Sequence, residues 1–204
     1  MRMKDKVVVV TGAARNNGLG IATRFAREGA AVVILDILAE QAQQSAEGLR
    51  KIGAKALAIE CDVSDKRAVE AAAAQAIGEF GKVDVLVNNA GIGGLGSQGS
   101  VTEIAEEEYD KVMRVNVKSV FLCSQAFGRD MIARGEGGAI INISSINDIM
   151  MSPGQFSYAT SKGAISSATK ALAVALAQHC IRVNAIAPGS IENANTGHQH
   201  TFAE

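Results

Sequence analysis

The chain has 204 residues, of which 48% are hydrophobic and 20% are charged, with 21 glycines and only 2 prolines. This composition is typical of a folded domain with a substantial core and excludes an intrinsically disordered chain. The formal net charge is -1, with acidic and basic residues mixed throughout, so there is no basic stripe for nucleic acid and no polybasic patch for a membrane. We therefore expect neither partner, and a single domain over residues 1–204.

The cysteines and the N-terminal residues indicate a cytoplasmic protein. Cys61, Cys123 and Cys180 are odd in number, far apart and set within apolar segments, which predicts buried thiols in a reducing compartment. No apolar run reaches the length of a membrane span, and the run "KVVVVTG" begins almost at the first Met. We therefore expect neither a membrane span nor a signal peptide.

Short β-branched segments alternate with longer segments of helical period. Most of the β-branched segments lack the alternation of a half-exposed strand, which predicts strands buried on both faces of a parallel sheet. Six such strands joined by helices predict a doubly wound, Rossmann-type α/β fold with helices on both faces. The predicted strands cover residues 6–11, 30–36, 55–60, 83–88, 138–144 and 181–187, and the predicted helices cover residues 18–28, 39–52, 65–80, 106–134 and 156–178.

The first predicted strand leads into "TGAARNNGLG", residues 11–20. In such folds this turn binds a pyrophosphate on the amides of the following helix, although glycine-rich turns also serve only to reverse the chain. Asp36 ends the second strand, where a carboxylate can accept hydrogen bonds from the adenosine ribose hydroxyls. Asp36 could also cap the next helix, and the two roles are compatible.

A second set of polar residues lies in "SSINDIMMSPGQFSYATSK", residues 144–162. Tyr158 and Lys162 are four residues apart on a predicted helix, so they project from one face. An ammonium beside a phenol favours the phenolate, which a general acid or base working near neutral pH requires. Ser145 could donate a hydrogen bond to a substrate carbonyl oxygen. Taken one at a time, these residues are better explained by structural roles, Tyr158 as a half-buried helix aromatic, Lys162 as a solvated charge and Ser145 as a turn or cap residue.

Together these motifs resemble the short-chain dehydrogenase/reductase family over nearly the whole chain. Further motifs follow in order, "CDV" at 61–63, "NNAG" at 88–91, "VNV" at 115–117 and "RVNAIAPG" at 182–189. The resemblance implies an oxidoreductase that transfers a hydride between a nicotinamide cofactor and a secondary alcohol or ketone. It implies a catalytic tetrad of Asn116, Ser145, Tyr158 and Lys162.

The resemblance also implies a role for each residue. Tyr158 would exchange a proton with the substrate oxygen, which Ser145 would polarise. Lys162 would bind the nicotinamide ribose and favour the phenolate, while Asn116 would hold a water that links Lys162 to solvent. The other implied cofactor contacts are Asp62 and Val63 at the adenine, Asn89, Ala90 and Gly91 at the neighbouring ribose, and Pro188, Gly189 and Ile191 at the nicotinamide.

The family loop usually reads TGxxxGxG, and two alignments fit this chain. The last two glycines can slide to Gly18 and Gly20, or the loop can match without a gap, with Asn16 in place of the middle glycine. The slide would shorten the first helix by two residues, and Asn tolerates a left-handed backbone better than other non-glycine residues. We therefore favour the ungapped alignment, with Gly20 as a small residue that packs the helix closely on the sheet. The predicted phosphate turn comprises Gly12, Arg15, Asn16, Asn17, Gly18 and Leu19.

Cofactor choice depends on two opposed charges. Asp36 would repel the 2′-phosphate of NADP, whereas Arg15 is a basic residue at a position that NADP-preferring relatives often use. Because Asp36 lies where that phosphate would sit, we predict NAD over NADP.

The substrate pocket is predicted to be lined by residues 146–157, together with the loop after Gly94 and the segment from Ser190 onward. Methionine side chains adapt to many shapes, so the pattern indicates a small-molecule alcohol or ketone without specifying it. We predict no metal site, because His198 and His200 lack a nearby carboxylate or cysteine. The predicted apolar lining comprises Ile149, Met150, Met151 and Phe156.

The family pattern normally continues through a further helix and a seventh strand, which this sequence lacks, and Asn193 stands where relatives often carry a Thr. We therefore expect an incomplete version of a longer chain. The two long helices after Glu106 and Phe156 predict a homodimer, or a homotetramer if the chain is longer. The alternatives to an active enzyme are a cofactor-binding protein without turnover and a purely structural or interaction protein.

Overall fold

The computed structural model describes residues 1–93, 100–151 and 153–191. Within them, six parallel strands form one sheet in the order β3-β2-β1-β4-β5-β6. The strand order reverses between β1 and β4, which is the doubly wound topology predicted from the sequence. The strands are β1 (Val7–Thr11), β2 (Ala31–Asp36), β3 (Ala56–Glu60), β4 (Val85–Asn88), β5 (Gly138–Ile143) and β6 (Ile181–Ile186).

Helices cover both faces of the sheet, as predicted. Apolar residues of α1 and α2 pack on one face, and those of α3, α5 and α6 pack on the other. Asp65 caps α3 by accepting a hydrogen bond from the Ala68 amide at 2.8 Å, and α3 ends at Gly81, where φ is 77°. The α-helices of the described residues are α1 (Asn16–Arg27), α2 (Ala39–Lys51), α3 (Lys66–Phe80), α4 (Glu106–Met113), α5 (Ser119–Arg134) and α6 (Phe156–Leu176).

The helix predicted over residues 106–134 is interrupted. Arg114–Lys118 forms a π-helical turn between α4 and α5. A π-turn accommodates one extra residue and is frequent at functional sites. Here it contains Asn116, one of the predicted catalytic residues.

Burial across the sheet agrees with a parallel sheet covered on both faces. All five residues of β1 are buried, whereas β6 buries only Ile181 and Val183 of its six residues. β6 is one of the two edges of the sheet that the structure describes, and β3 is the other. The alternating pattern of β6 shows that only one face of this strand is covered by the described residues.

The cysteine prediction is correct for two residues and wrong for the third. Cys61 and Cys123 are buried, and burial raises the pKa of the Cys61 thiol to about 11. Cys180 is exposed, because it occupies a left-handed turn just before β6. Among residues 1–93, 100–151 and 153–191, no helix is long and apolar enough to cross a membrane.

Candidate active site

A groove of about 1330 Å³ lies along the carboxyl ends of the strands and joins most of the predicted site residues. Leu19 and Asn116 are absent from its lining. The groove exceeds the ~300–1,000 Å³ of ordinary small-molecule pockets. The predicted residues that line it are Gly12, Arg15, Asn16, Asn17, Gly18, Asp36, Asp62, Val63, Asn89, Ala90, Gly91, Ser145, Tyr158, Lys162, Pro188, Gly189 and Ile191.

The turn after β1 is compact because two glycines allow close approach. Gly12 has φ of 62°, and a Cβ there would lie 2.8 Å from the Ala90 Cα. A Cβ on Gly18 would lie 2.1 Å from the Gly12 carbonyl oxygen. Asn16 has φ of 51°, the left-handed conformation that the ungapped alignment requires of it. The prediction for Gly20 is wrong, since it is exposed and has no atom within 4 Å of an added Cβ.

Thr11 supports this turn, and the sequence analysis missed it. Its Oγ1 accepts hydrogen bonds from the main-chain amides of Asn89 and Ala90, both at 3.0 Å. The Asn89 side chain donates in return to the carbonyl oxygens of Thr11 and Gly12, at 2.9 and 3.0 Å. The loop after β4 is therefore fastened to the turn after β1. A threonine directly before the first glycine is the sequence signal that could have indicated this.

Asp36 lies at the end of β2 and is only 8% exposed. Its Oδ2 accepts a hydrogen bond from the Ala14 amide at 2.9 Å, and its Oδ1 accepts one from the Leu38 amide at 3.0 Å. Leu38 occupies the N-cap position of α2, so the suggestion that Asp36 caps this helix is wrong. A carboxylate oxygen can accept more than one hydrogen bond, so Asp36 retains acceptor capacity toward the groove.

Lys162 is buried beside Tyr158 on α6. Its side chain donates to the Ile143 carbonyl oxygen at 2.9 Å, and its Nζ lies 5.4 Å from the centre of the Tyr158 ring. Burial lowers the pKa of the Lys162 amine from 10.5 to about 8. The amine is still mostly protonated at pH 7, so a positive charge lies next to the phenol.

Ser145 follows β5 and caps a short 3-10 helix, Ile146–Asp148. Its Oγ accepts a hydrogen bond from the Asn147 amide at 3.2 Å. Within the part of the chain that the structure describes, no acceptor takes the hydroxyl proton of Ser145. This proton can therefore be donated into the groove.

Asn116 is fully buried in the π-turn. Its side chain forms a reciprocal pair with Ile92, accepting from the Ile92 amide at 2.8 Å and donating to the Ile92 carbonyl at 2.9 Å. It also donates to the Ser161 hydroxyl at 2.9 Å. The amide group thus holds the loop after β4 against α6.

The apolar residues predicted to line the substrate pocket do not line the groove. Ile149, Met150 and Met151 are 81, 68 and 65% exposed, and Phe156 contacts the Tyr109 ring instead. The loop between Ser145 and α6 directs these side chains outward, so that prediction is wrong. Gln155 and Ser190 do line the groove. The loop after Gly94, Asn193, His198 and His200 lie outside the described residues.

The sequence profile of the short chain dehydrogenase family matches residues 6–203. The chain belongs to this family. It is 43% identical to 2-(R)-hydroxypropyl-CoM dehydrogenase of Xanthobacter autotrophicus over 94% of this chain and 77% of that relative. It also resembles two solved structures. The first is a short chain dehydrogenase from Mycobacterium smegmatis, with a TM-score of 0.86 and 34% identity, and the match covers 92% of this chain and 78% of that chain. The second is a NAD+-bound xylitol dehydrogenase, with a TM-score of 0.86 and 36% identity, and the match covers 93% of this chain and 72% of that chain.

As a short-chain dehydrogenase, the protein is an oxidoreductase that transfers a hydride between a nicotinamide cofactor and a small-molecule alcohol or ketone. The groove places a glycine turn, a buried carboxylate and a Ser–Tyr–Lys set along one face of the sheet. This arrangement is suited to holding a dinucleotide beside a group that transfers a proton.

Proposed function

We propose that the protein catalyses the NAD-dependent, reversible oxidation of a secondary alcohol to a ketone, with Tyr158 as general acid and base. The observation that carries the proposal is the meeting of Ser145, Tyr158 and Lys162 in the groove that also contains the glycine turn. We further propose that residues 1–204 act as one cofactor-binding and catalytic domain in the cytoplasm, to which the free thiols of Cys61 and Cys123 are suited.

The residues of the groove fit a dinucleotide. Within the described part of the chain, no side chain caps the N-terminus of α1. The first amides of this helix are therefore available to phosphate oxygens. Gly12, Asn16 and Gly18 would form the phosphate turn, and Asp62, Val63 and Asn89 would adjoin the adenosine. When bound, the nicotinamide supplies the chemistry of accepting or donating a hydride. We assign Arg15, Asn17, Leu19, Ala90, Gly91, Pro188, Gly189 and Ile191 to the same binding surface.

The choice of NAD over NADP rests on Asp36. Its buried carboxylate is held by the Ala14 and Leu38 amides, so it cannot swing away to admit a second negative charge. A 2′-phosphate there would be repelled, whereas ribose hydroxyls could donate to the remaining lone pairs. Arg15 is exposed on the same groove, where solvent screens its attraction for a phosphate.

In the oxidation direction, Tyr158 removes the proton of the substrate hydroxyl, and in the reverse direction it returns that proton. Ser145 donates its hydroxyl hydrogen to the same substrate oxygen and so fixes the orientation of that oxygen. The Lys162 ammonium places a positive charge beside the Tyr158 ring, which favours negative charge on the phenol oxygen. Asn116 keeps the loop after β4 in place through Ile92, and we assign it to the tetrad in this supporting role.

The substrate class follows from the relatives. The relative from Xanthobacter is named for a 2-hydroxypropyl group and one structural neighbour for xylitol, and both compounds carry a secondary hydroxyl. A secondary alcohol suits a site with one proton acceptor and one hydroxyl donor for a single substrate oxygen. We propose that class for this chain.

We also propose a homodimer that pairs α5 and α6 across a twofold axis, or a homotetramer in a longer chain. Phe121 on α5 is 56% exposed and Val174 on α6 is 81% exposed. Large apolar side chains that are exposed on these two helices are suited to an isologous contact.

The experiment that tests the proposed function compares Tyr158→Phe with Tyr109→Phe. The chain has 2 tyrosines, and Tyr109 contacts Phe156 outside the groove lining, so it is a matched control. Reduced-nicotinamide absorbance is followed with NAD and a panel of propan-2-ol, cyclopentanol and xylitol. We expect Tyr158→Phe to lose about 10²- to 10⁴-fold in kcat, with NAD affinity within a few-fold of wild type. Substantial turnover by Tyr158→Phe would contradict the proposal.

A further inference from the structure

Asp148 is an acidic residue in the loop between Ser145 and α6, and the proposed chemistry does not use it. It ends the short 3-10 helix that Ser145 caps. Its Oδ2 accepts hydrogen bonds from the hydroxyl of Ser144, at 3.1 Å, and from the hydroxyl of Ser166 on α6. The two serine hydroxyls lie 2.9 Å apart. One carboxylate oxygen therefore joins the loop after β5 to α6 through two serines.

The connection reaches α6 next to the predicted catalytic residues. Ser166 lies one helical turn after Lys162 and two turns after Tyr158. The Ser144 hydroxyl is also 3.0 Å from the main-chain oxygen of Lys162. The group of Asp148, Ser144 and Ser166 thus connects the residue just before Ser145 with the helix that carries Tyr158.

Apolar packing contributes little to holding this loop. Ile149, Met150 and Met151, directly after Asp148, are mostly exposed. At the start of the loop, the Ile146 amide donates to the Pro188 carbonyl at 3.0 Å. Hydrogen bonds to an ionised carboxylate are stronger than neutral ones. Among the described residues of this loop, Asp148 makes the side-chain hydrogen bond that joins the loop to α6.

We propose that Asp148 is a positioning residue for the dehydrogenase reaction, holding Ser145 at its working distance from Tyr158 through Ser144 and Ser166. The proposal rests on the proposed function, because it assigns Asp148 an effect on the group that meets the substrate oxygen. Removing the carboxylate leaves the cofactor turn intact but allows Ser145 to shift. A shift of about 1 Å in a catalytic group can lower the rate by about 10²-fold.

The first test compares Asp148→Ala with Asp130→Ala. Asp130 accepts hydrogen bonds from the Val83 amide and the Arg134 side chain, near the amino end of β4 and away from the groove. We expect Asp148→Ala to lower kcat by at least about tenfold, with the Kd for NAD within about twofold of wild type. Asp130→Ala should lower the melting temperature while leaving kcat unchanged. An unchanged kcat in Asp148→Ala would overturn the proposal.

A double-mutant cycle separates positioning from a general loss of stability. If Asp148 acts through Ser145, then Asp148→Ala in a Ser145→Ala background should change kcat by less than about twofold. The same rate loss in both backgrounds would overturn the proposal. Asp148→Asn should recover most of the activity, because its amide oxygen can still accept a hydrogen bond from Ser144 or Ser166.

Hydrogen–deuterium exchange gives a readout that does not need turnover. We expect faster amide exchange over residues 144–151 in Asp148→Ala and in Ser166→Ala, and unchanged exchange there in Asp130→Ala. Ser166→Ala keeps the Asp148 carboxylate but removes its hydrogen-bond partner on α6, so it replaces Asp148→Ala in this experiment if that variant does not fold. Unchanged exchange over residues 144–151 would show that Asp148 does not hold the loop. If the wild-type protein oxidises none of the alcohols, the proposed function fails and the exchange result alone decides whether Asp148 fixes the loop.

Discussion

Replacing Gly18 by Ala should disrupt both the fold and cofactor binding, because the space for a methyl group is absent. An added Cβ would lie 2.1 Å from the Gly12 carbonyl oxygen, 2.6 Å from the Asn89 side-chain nitrogen and 2.8 Å from the Ala13 Cα. Ordinary contacts begin at 3.4 Å, so the overlap with backbone exceeds an ångström. The backbone φ of Gly18 lies outside the left-handed range, so the expected cost is steric.

Overpacking of this kind costs about 1–3 kcal/mol and occasionally more. For a chain of this size, the corresponding fall in melting temperature is about 2 to 12 °C. The methyl group would also move the turn that we propose for the phosphates, so the Kd for NAD should rise by at least about tenfold. Thermal unfolding with and without NAD, together with titration calorimetry, measures both effects.

Gly20→Ala is the matched control, two residues further along the same helix. A Cβ there meets no atom within 4 Å. Replacing a helical glycine by alanine should stabilise the protein by about 0.5–1 kcal/mol, with NAD affinity unchanged. The reasoning fails if Gly18→Ala matches wild type in melting temperature and affinity, or if Gly20→Ala is the more damaging variant.

Three further predictions follow from the charges and exposed surfaces of the structure. Asp36→Ala should lower the ratio of the Kd for NADP to the Kd for NAD by at least about tenfold. An unchanged ratio would show that Arg15 or another residue decides the cofactor preference. Burial lowers the pKa of Lys162 from its ordinary value of 10.5 to about 8. Between these two pH values, the Lys162 amine therefore binds more protons in the unfolded chain than in the folded one. The free energy of unfolding of wild type should therefore rise by up to about 3 kcal/mol relative to that of Lys162→Met as the pH rises through this window. Urea unfolding of both proteins at the two ends of the window measures this, and a difference between them that does not change with pH would contradict the prediction. Phe121→Glu should convert a dimer to a monomer in sedimentation velocity, while Ile52→Glu, at a 51% exposed site after α2, should not.

The strands could be predicted because residues buried on both faces of a sheet leave one uniform signal, an uninterrupted β-branched run. β1 shows this most clearly, with all five residues buried. The topology then follows from the handedness of strand–helix–strand connections. The left-handed backbone of Asn16 could be anticipated because few residue types adopt it.

Other features required contacts between segments far apart in the chain. α1 begins at Asn16, two residues before the predicted start. Gly18 faces the turns after β1 and β4, and Gly20, about 200° further round the helix, faces solvent. The hydrogen bonds of Asp36 and Thr11 go to main-chain amides of other loops, which no local pattern records. The apolar character of Ile149 and Met150 did not reveal that their loop directs them outward. The π-turn was missed because one extra residue barely alters an apolar periodicity.

This π-turn determines how the two halves of the long helical segment are oriented about their common axis. In a regular α-helix each residue advances the face by about 100°. The wider π-turn takes in one extra residue, so the faces after it are displaced by about one such step relative to an uninterrupted α-helix. Tyr109 on α4 contacts Phe156, while α5 packs Phe127 and Met131 into the core beside α3. Were Arg114–Lys118 an uninterrupted α-helix of the same residues, these two faces would be out of phase, and only one of the two contacts could be kept. The extra residue in the π-turn, which contains Asn116, thus also allows a single long segment to pack against two different neighbours.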